Sequence, residues 1–336
     1  MEGIELPQGY FDNYEERATI EDGKEMELEI VANIPDGGPY FDRKFDSSPT
    51  SLYIDPLSPP TGCIPYNSVV WNRISGMEVE DCFNPVVFMD EEDSGFLVQG
   101  GIENGWFVGA MSVLSSFPHL LHPILVSDTY LTERGVATFK FYKGGRWVFV
   151  SVDDRLPCSF SGSPYFCKSS NNNEVWMCLV EKAYAKLHGG YEAIRRGFVE
   201  HALKDLTGGC VAHYKIGRKE DGEEEDKKQG EADHDELWEK IHTLFHNHPD
   251  DAIICVSRNE RSKLHNPTHN QGLVCGRVYG ISQVHQLVNG SSEHFDGIKP
   301  KLCKLFLRNL FYSSSQNHNI NMNLMISIFD FYYSFV

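Results

Sequence analysis

The chain has 336 residues, 41% of them hydrophobic and 23% charged, a composition that fits one large globular domain or two of ordinary size. Its formal net charge of −18 argues against nonspecific binding to nucleic acid and against binding to an anionic membrane surface, because both of these ligands are negatively charged and bind basic proteins. No apolar run is long enough for membrane insertion, and the N-terminus lacks the basic and apolar regions of a secretion signal. Nine scattered cysteines without C-x-x-C pairs predict reduced thiols in a cytoplasmic, intracellular protein.

The N-terminal half opens on an acidic segment and then becomes regular. Residues 1–40 are acidic and contain the Pro- and Gly-rich run 35–39, so we expect a loosely ordered lead-in. Apolar residues recur at helical spacing after Gly105 and predict a helix that extends to Ser116.

A hairpin and a second helix are predicted in the middle of the chain. Residues 135–142 and 146–152 read as two strands, and Lys143-Gly144-Gly145 between them is typical of a hairpin turn. The composition and spacing of residues 174–187 favour a helix.

The C-terminal half is less regular. Residues 217–235 form a charged, low-complexity stretch and predict a solvated loop. A helix is predicted over 236–246 and a strand over 252–256, while 272–284 is rich in strand formers.

The stretch from Gln99 to Phe107 carries the strongest functional signal, and it reads Q-G-G-I-E-N-G-W-F. A Gln-Gly pair, a short loop and a Trp-Phe pair that opens an apolar helix are typical of a papain-like cysteine protease around its nucleophile. The stretch resembles the calpain family, whose pattern there is Q-G-x-L-G-[DN]-C-W-F. The same resemblance is carried by F-D-R-K-F from Phe41, V-D-D-R-L-P from Val152 and E-V-W-M-C-L-V-E-K-A-Y-A-K-L from Glu174.

This resemblance covers about residues 41–309 and implies an α+β fold, the papain-like calpain protease core. The implied domains are a helical lobe at 41–209, a β-rich lobe at 210–309 and a divergent tail at 310–336. Because the family has several more strands where the tail begins, we expect an incomplete β-rich lobe with an open sheet edge. The apolar residues expected to be exposed there are Phe329, Phe331 and Tyr332.

The resemblance also assigns four catalytic positions, and two of them are substituted. Gly105 stands at the nucleophile position, where it offers no thiol for acyl transfer. Arg277 stands at the histidine position and stays protonated, so it cannot act as a base; it is either a solvent-facing or paired strand arginine or a polar pocket residue. Asn309 matches the orienting asparagine. Gln99 matches the oxyanion glutamine, with a loop amide bonded to its own backbone as the alternative.

Calcium is the cofactor that the resemblance implies, since calpain protease lobes bind it without EF-hands. Glu181 matches a family glutamate, and Asp93 lies upstream of Gln99. A site built on these two carboxylates would offer the oxygen ligands that Ca²⁺ prefers. No other cofactor is expected.

Three functions follow from these observations, and the sequence leaves the question of enzymatic activity open among them. The first is a catalytically inactive pseudoprotease that binds a protein or peptide partner in the cleft between the lobes. The second is an intracellular calcium-dependent cysteine endopeptidase whose sequence is defective or divergent at the active site. The third is a structural module that binds through the acidic segments 1–40 and 217–235.

Overall fold

The computed structural model describes residues 19–74, 87, 95–127, 133–215, 234–247, 252–257, 278–287, 302–308, 323–325 and 332–335. The described residues divide between Gly208 and Gly209 into two compact units. The fold is α+β, as predicted. None of the helices in the described ranges is long and apolar enough to cross a membrane.

The first unit combines helices with short antiparallel strand pairs. Among its described residues the helices are α1 (Ile20–Ala32), α2 (Pro49–Leu52), α3 (Gly105–Leu114), α4 (Pro118–Leu121), α5 (Trp176–His188) and α6 (Val199–Thr207). The strands are β1 (Val70–Arg73), β2 (Leu97–Val98), β3 (Val136–Lys143), β4 (Arg146–Asp153), β5 (Arg155–Cys158) and β6 (Lys168–Ser169). β1 pairs with β5, β2 with β6 and β3 with β4.

Helices α3 and α5 form the centre of this unit. α3 is buried at every position from Phe107 to Leu114, and α5 at every position from Trp176 to Leu187. A helix that is buried on all sides is stabilised by packing around its whole circumference. The rings of Phe107 and Tyr184 stack between the two helices at 4.1 Å. Both predicted helices are therefore confirmed.

Two lysines on α5 are buried together with carboxylates from other parts of the unit. Lys182 Nζ lies 2.6 Å from Asp153 Oδ1, and Lys186 Nζ lies 2.6 Å from Asp42 Oδ2. The backbone N–H of Asp42 donates to Asp153 Oδ2, which links the two pairs. Burial alone would raise the pKa of Asp153, but Lys182 and Arg155 hold it below its ordinary value. The network ties the segment around residue 42 and the end of β4 to α5.

The predicted hairpin is confirmed. β3 and β4 pair in register from Val136 with Asp153 to Lys143 with Arg146. The two turn residues, Gly144 and Gly145, have φ values of 61° and 83°. Positive φ at both positions is the requirement of a type I′ turn, whose twist matches that of the strands.

The N-terminal segment is more ordered than its composition suggested. The lead-in expected over residues 1–40 is wrong for Ile20–Ala32, which form α1; residues 1–18 lie outside the described residues. Thr19 and Asp22 form a capping box, in which each side chain accepts a hydrogen bond from the other's backbone N–H. Met26 then packs against Val126 and Phe149. This capping box was the sequence signal for α1, and the acidic composition of the segment drew attention away from it.

Among its described residues, the second unit contains an antiparallel sheet and a helix, α7 (His234–Asn247). The strands are β7 (Ala212–Lys215), β8 (Ile254–Ser257), β9 (Val278–Leu287), β10 (Leu302–Arg308), β11 (Asn323–Met325) and β12 (Tyr332–Phe335). Their order in the sheet is β11-β10-β9-β8-β12-β7. The helix predicted over 236–246 and the strand over 252–256 are confirmed. The loop predicted over 217–235 falls outside the described residues, apart from its last two, which begin α7.

The tail contributes to this sheet. β12 pairs with both β7 and β8, so that Tyr332 lies opposite Lys215 on one side and Ser257 on the other. The tail therefore adds a strand at an interior position of the sheet, and the exposure predicted for Tyr332 stays a prediction. Phe329 and Phe331 lie outside the described residues.

His188, the last residue of α5, is expected to make stability depend on pH. Burial, with a smaller contribution from Lys143, lowers the pKa of His188 from 6.5 to about 4. As the pH falls below 6.5, the unfolded chain takes up this proton before the folded chain does. The unfolding free energy should therefore lose up to about 3 kcal/mol through this residue as the pH approaches 4.

Urea unfolding of the parent and of His188→Gln at about pH 7 and about pH 4.5 measures this contribution. We expect the stability difference between the two proteins to shift toward the variant at the lower pH. A difference that stays constant between the two pH values would contradict the assignment to His188.

Candidate functional site

The candidate site is built around the start of α3 in the first unit. Strand β2 pairs with β6 and leads into Gln99, and the following loop is held by a 2.7 Å hydrogen bond from Gly101 N to Tyr165 O. Gly105 is the first residue of α3. The position that matches a protease nucleophile therefore lies at a helix N-terminus, where the helix dipole favours a thiolate.

Gln99 lies directly beside Gly105. A Cβ atom built on Gly105 would be 3.2 Å from Gln99 Oε1 and 3.7 Å from Nε2. Gln99 Nε2 meanwhile donates to Ile102 O at 3.1 Å, which is the local backbone bond considered from the sequence. The structure thus brings the two sequence-predicted residues together, and the oxyanion role of Gln99 stays a prediction.

Trp106 and Phe107 are packing residues. Phe107 is fully buried, and the indole N–H of Trp106 donates to Ile194 O at 3.0 Å. The Trp106 ring also meets Tyr184 edge-on at 6.0 Å. These contacts fix the first turn of α3 in the unit.

Gly197 allows Trp106 to take this position, a role that no sequence motif indicated. A Cβ atom at Gly197 would lie 2.5 Å from the Trp106 ring. We expect Gly197→Ala to lower the unfolding free energy by about 1–3 kcal/mol, because the indole must move and its bond to Ile194 is strained. Urea unfolding and tryptophan fluorescence measure the two effects. Gly38→Ala is the control, since its Cβ would meet nothing closer than 3.7 Å; equal losses in both variants would contradict the expectation.

Asn104 is a site residue that the sequence reasoning missed. It is fully buried, and its Nδ2 donates to Glu181 Oε1 at 2.7 Å. The other oxygen of Glu181 accepts from the backbone N–H of Cys167 at 2.9 Å. Burial raises the pKa of Glu181 to about 7, although both hydrogen bonds oppose this shift. The sequence signal that could have identified Asn104 is an asparagine directly before an apolar helix, since asparagine is common at the N-cap position.

The described residues do not fit a calcium site at Glu181. The carboxylate is buried, and each of its oxygens already accepts a hydrogen bond from the protein. Within the described ranges there is no group of three His, Cys, Asp or Glu side chains that could hold a metal ion. Asp93 lies outside those ranges, so the predicted pairing of Glu181 with Asp93 stays a prediction.

The other two catalytic positions lie outside the described residues. Arg277 directly precedes β9, and Asn309 directly follows β10. β9 and β10 are paired, with Arg308 opposite Gly280. The roles predicted for Arg277 and Asn309 therefore stay predictions.

Four of the described cysteines are poorly suited to replace the missing thiol. Burial raises the pKa of the Cys158 thiol to about 11 and places the pKa of Cys167 and Cys178 well above the ordinary value. Burial also raises the pKa of the half-exposed Cys63, with Arg195 opposing the shift. Thiols of this kind are poor nucleophiles near neutral pH.

Sequence comparison agrees with this geometry. The profile of the calpain family cysteine proteases matches residues 40–305. The chain belongs to the calpain family. The predicted family is therefore confirmed, and with it the papain-like calpain core as the fold class. Family membership does not by itself establish hydrolysis, because activity depends on the site residues.

Individual calpains are similar to this chain at 29–35% sequence identity. The calpain-type cysteine protease DEK1 of Zea mays is 32% identical over 254 residues, which are 74% of this chain and 11% of the relative. Calpain clp-4 of Caenorhabditis elegans is 29% identical over 245 residues, 70% of this chain and 31% of the relative. Calpain-12 of Homo sapiens is 35% identical over 189 residues, 56% and 25% of the two chains. The chain thus spans less than a third of the length of these calpains.

Proposed function

We propose that this chain is a calpain-family pseudoprotease, which does not hydrolyse peptides and instead binds a protein or peptide partner beside the start of α3. The observation that carries the proposal is Gly105 at the first position of α3. Papain-type chemistry begins with attack by a thiolate, and a glycine at that position has no atom that can form the acyl bond.

The second substitution supports the same conclusion independently. Arg277, at the position of the general base, remains a cation at physiological pH and cannot accept the nucleophile's proton. A single loss could be repaired by a neighbouring group, but the loss of both the thiol and the base removes the two groups that act as one unit.

The binding part of the proposal rests on the scaffold that remains. The Gln99 carboxamide still lies beside residue 105, and Trp106 is still anchored to Ile194. A rigid helix start that adjoins polar groups can bind a peptide without cleaving it. We propose that this binding takes place in the cytoplasm and that no step of it uses calcium.

Peptide hydrolysis by the purified chain, with and without added calcium, tests the loss of activity. We expect no release of product above the buffer blank from labelled casein in either condition. Turnover that disappears when one cysteine, such as Cys63 or Cys210, is replaced by serine would overturn the proposal. Resequencing the transcript across codons 105, 277 and 309 tests the alternative of a defective endopeptidase sequence.

Fluorescence anisotropy with a set of labelled peptides of mixed sequence tests binding. Gly105→Phe fills the space beside Gln99 and should abolish saturable binding, whereas the control Gly38→Phe should leave it unchanged. Equal binding by both variants would contradict a role for residue 105. Loss of binding on deletion of residues 217–233 would favour the structural-module hypothesis instead.

A further inference from the structure

The start of α3 has an unusual cap. Asn104 is the N-cap residue, and its carbonyl oxygen accepts from Phe107 N at 2.9 Å and Val108 N at 3.1 Å. Its side chain makes no capping hydrogen bond, although asparagine is among the best capping residues. The backbone has φ −104° and ψ 33°, away from the extended conformation of a capping residue.

The side chain of Asn104 is held elsewhere by Glu181. The 2.7 Å bond from Asn104 Nδ2 to Glu181 Oε1 joins two side chains that are 0% and 1% exposed. Leaving a buried carboxyl oxygen without its donor costs more free energy than a side-chain cap contributes. The Asn104 carboxamide therefore bonds to Glu181 and does not cap the helix.

Asn104 is not fully satisfied in this arrangement. Its Oδ1 atom is buried and has no hydrogen-bond partner in the part of the chain that the structure describes. An unpaired buried acceptor has a free-energy cost, so the conformation of Asn104 persists because something else holds it. Glu181, fixed in turn by Cys167 N–H, is the group that does so.

We infer that Glu181 is a positioning residue for residue 105: by holding the Asn104 carboxamide, it keeps the first turn of α3 free of a side-chain cap. Because the N–H of Phe107 already donates to Asn104 O, the N–H of Trp106 is the group of that turn that stays directed toward the neighbourhood of residue 105. The inference concerns the geometry of the helix start, and it holds whether or not the chain hydrolyses peptides.

Three substitutions separate positioning from mere structural support. Glu181→Ala releases Asn104, which can then cap the helix. Asn104→Ser supplies a capping side chain that is too short to keep the bond to Glu181. Asn104→Ala is the matched control, because it breaks the same bond but cannot cap.

Amide hydrogen exchange in the full chain reads the cap directly. We expect exchange at Trp106 to slow in Glu181→Ala and in Asn104→Ser, and to stay fast in Asn104→Ala. Asn104→Ser keeps the test valid if Glu181→Ala does not fold. The same exchange in all three variants as in the parent would overturn the inference.

A thiol introduced by Gly105→Cys gives a second readout, because its rate of alkylation near neutral pH depends on its pKa. In that background, alkylation of residue 105 at about pH 6.5, followed by mass spectrometry, should slow by about fivefold with Glu181→Ala or Asn104→Ser. Asn104→Ala should alkylate at the rate of the Gly105→Cys protein. An equal slowing in all three variants would show that Glu181 acts only as structural support. Neither readout requires hydrolysis, so a failure here is distinct from a failure of the proposed function.

Discussion

Peptide hydrolysis should appear when Gly105→Cys and Arg277→His are combined in one chain. The first change places a thiol at the start of α3, with the Gln99 carboxamide 3.2 Å from the new Cβ. The second supplies a side chain that can accept and return a proton near neutral pH. Because removal of a nucleophile or base costs several orders of magnitude in rate, we expect at least about a hundredfold more product than from the parent.

The single variants are the matched controls for this experiment. A nucleophile and its base act as a unit, so Gly105→Cys and Arg277→His alone should each remain at the level of the parent. Labelled casein provides the readout, and alkylation of the thiol introduced at position 105 in the double variant confirms that this thiol is accessible. A double variant that alkylates but does not hydrolyse would place the defect in the second unit and its tail.

A large loss of stability is expected from Lys182→Met. The ammonium group is 0% exposed and donates to Asp153 Oδ1, Asp153 O and Arg155 O at 2.6–2.9 Å. Methionine has a similar volume but leaves two carbonyls without this donor and removes one of the two cations that lie 2.6 Å from Asp153, the other being Arg155. Breaking a buried pair in this way costs about 3–5 kcal/mol, far more than an exposed pair contributes.

Urea unfolding followed by circular dichroism measures this loss. Lys204→Met, at an exposed position of α6, is the control and should change the unfolding free energy by less than about 0.5 kcal/mol. A loss below about 1 kcal/mol for Lys182→Met would mean that the buried pair contributes no more than a surface pair does.

The sequence predicted those parts of the fold whose signals are local. The turn at Gly144-Gly145 and the apolar run after Gly105 depend on neighbouring residues, and both structures formed where they were expected. The segment 20–32 was missed because acidic residues dominate its composition, while its stability comes from Met26 packing on the distant Val126 and Phe149. Long-range packing of this kind leaves no periodic trace in the chain.

For the candidate site, too, the sequence predicted only the part whose signals are local. The family motif located Gly105 and Gln99, which the structure places side by side. It did not locate the bond between Asn104 and Glu181, whose partners are 77 residues apart in the chain. Glu181 suggested calcium because carboxylates are good calcium ligands. Its buried hydrogen bonds make it part of the protein's internal support, and its pairing with Asp93 around calcium stays a prediction.

The ion network of α5 also bears on how the protein is made. Lys186 meets Asp42 across 144 residues of sequence, and Lys182 meets Asp153 across 29. During synthesis, Asp42 leaves the ribosome long before its cation exists, so the nascent first unit cannot complete its interior until α5 has been translated. Contacts at such separations slow folding, since a long loop must close before they form. Shortened versions that end before residue 182 would therefore leave Asp42 without the lysine of α5 that neutralises it.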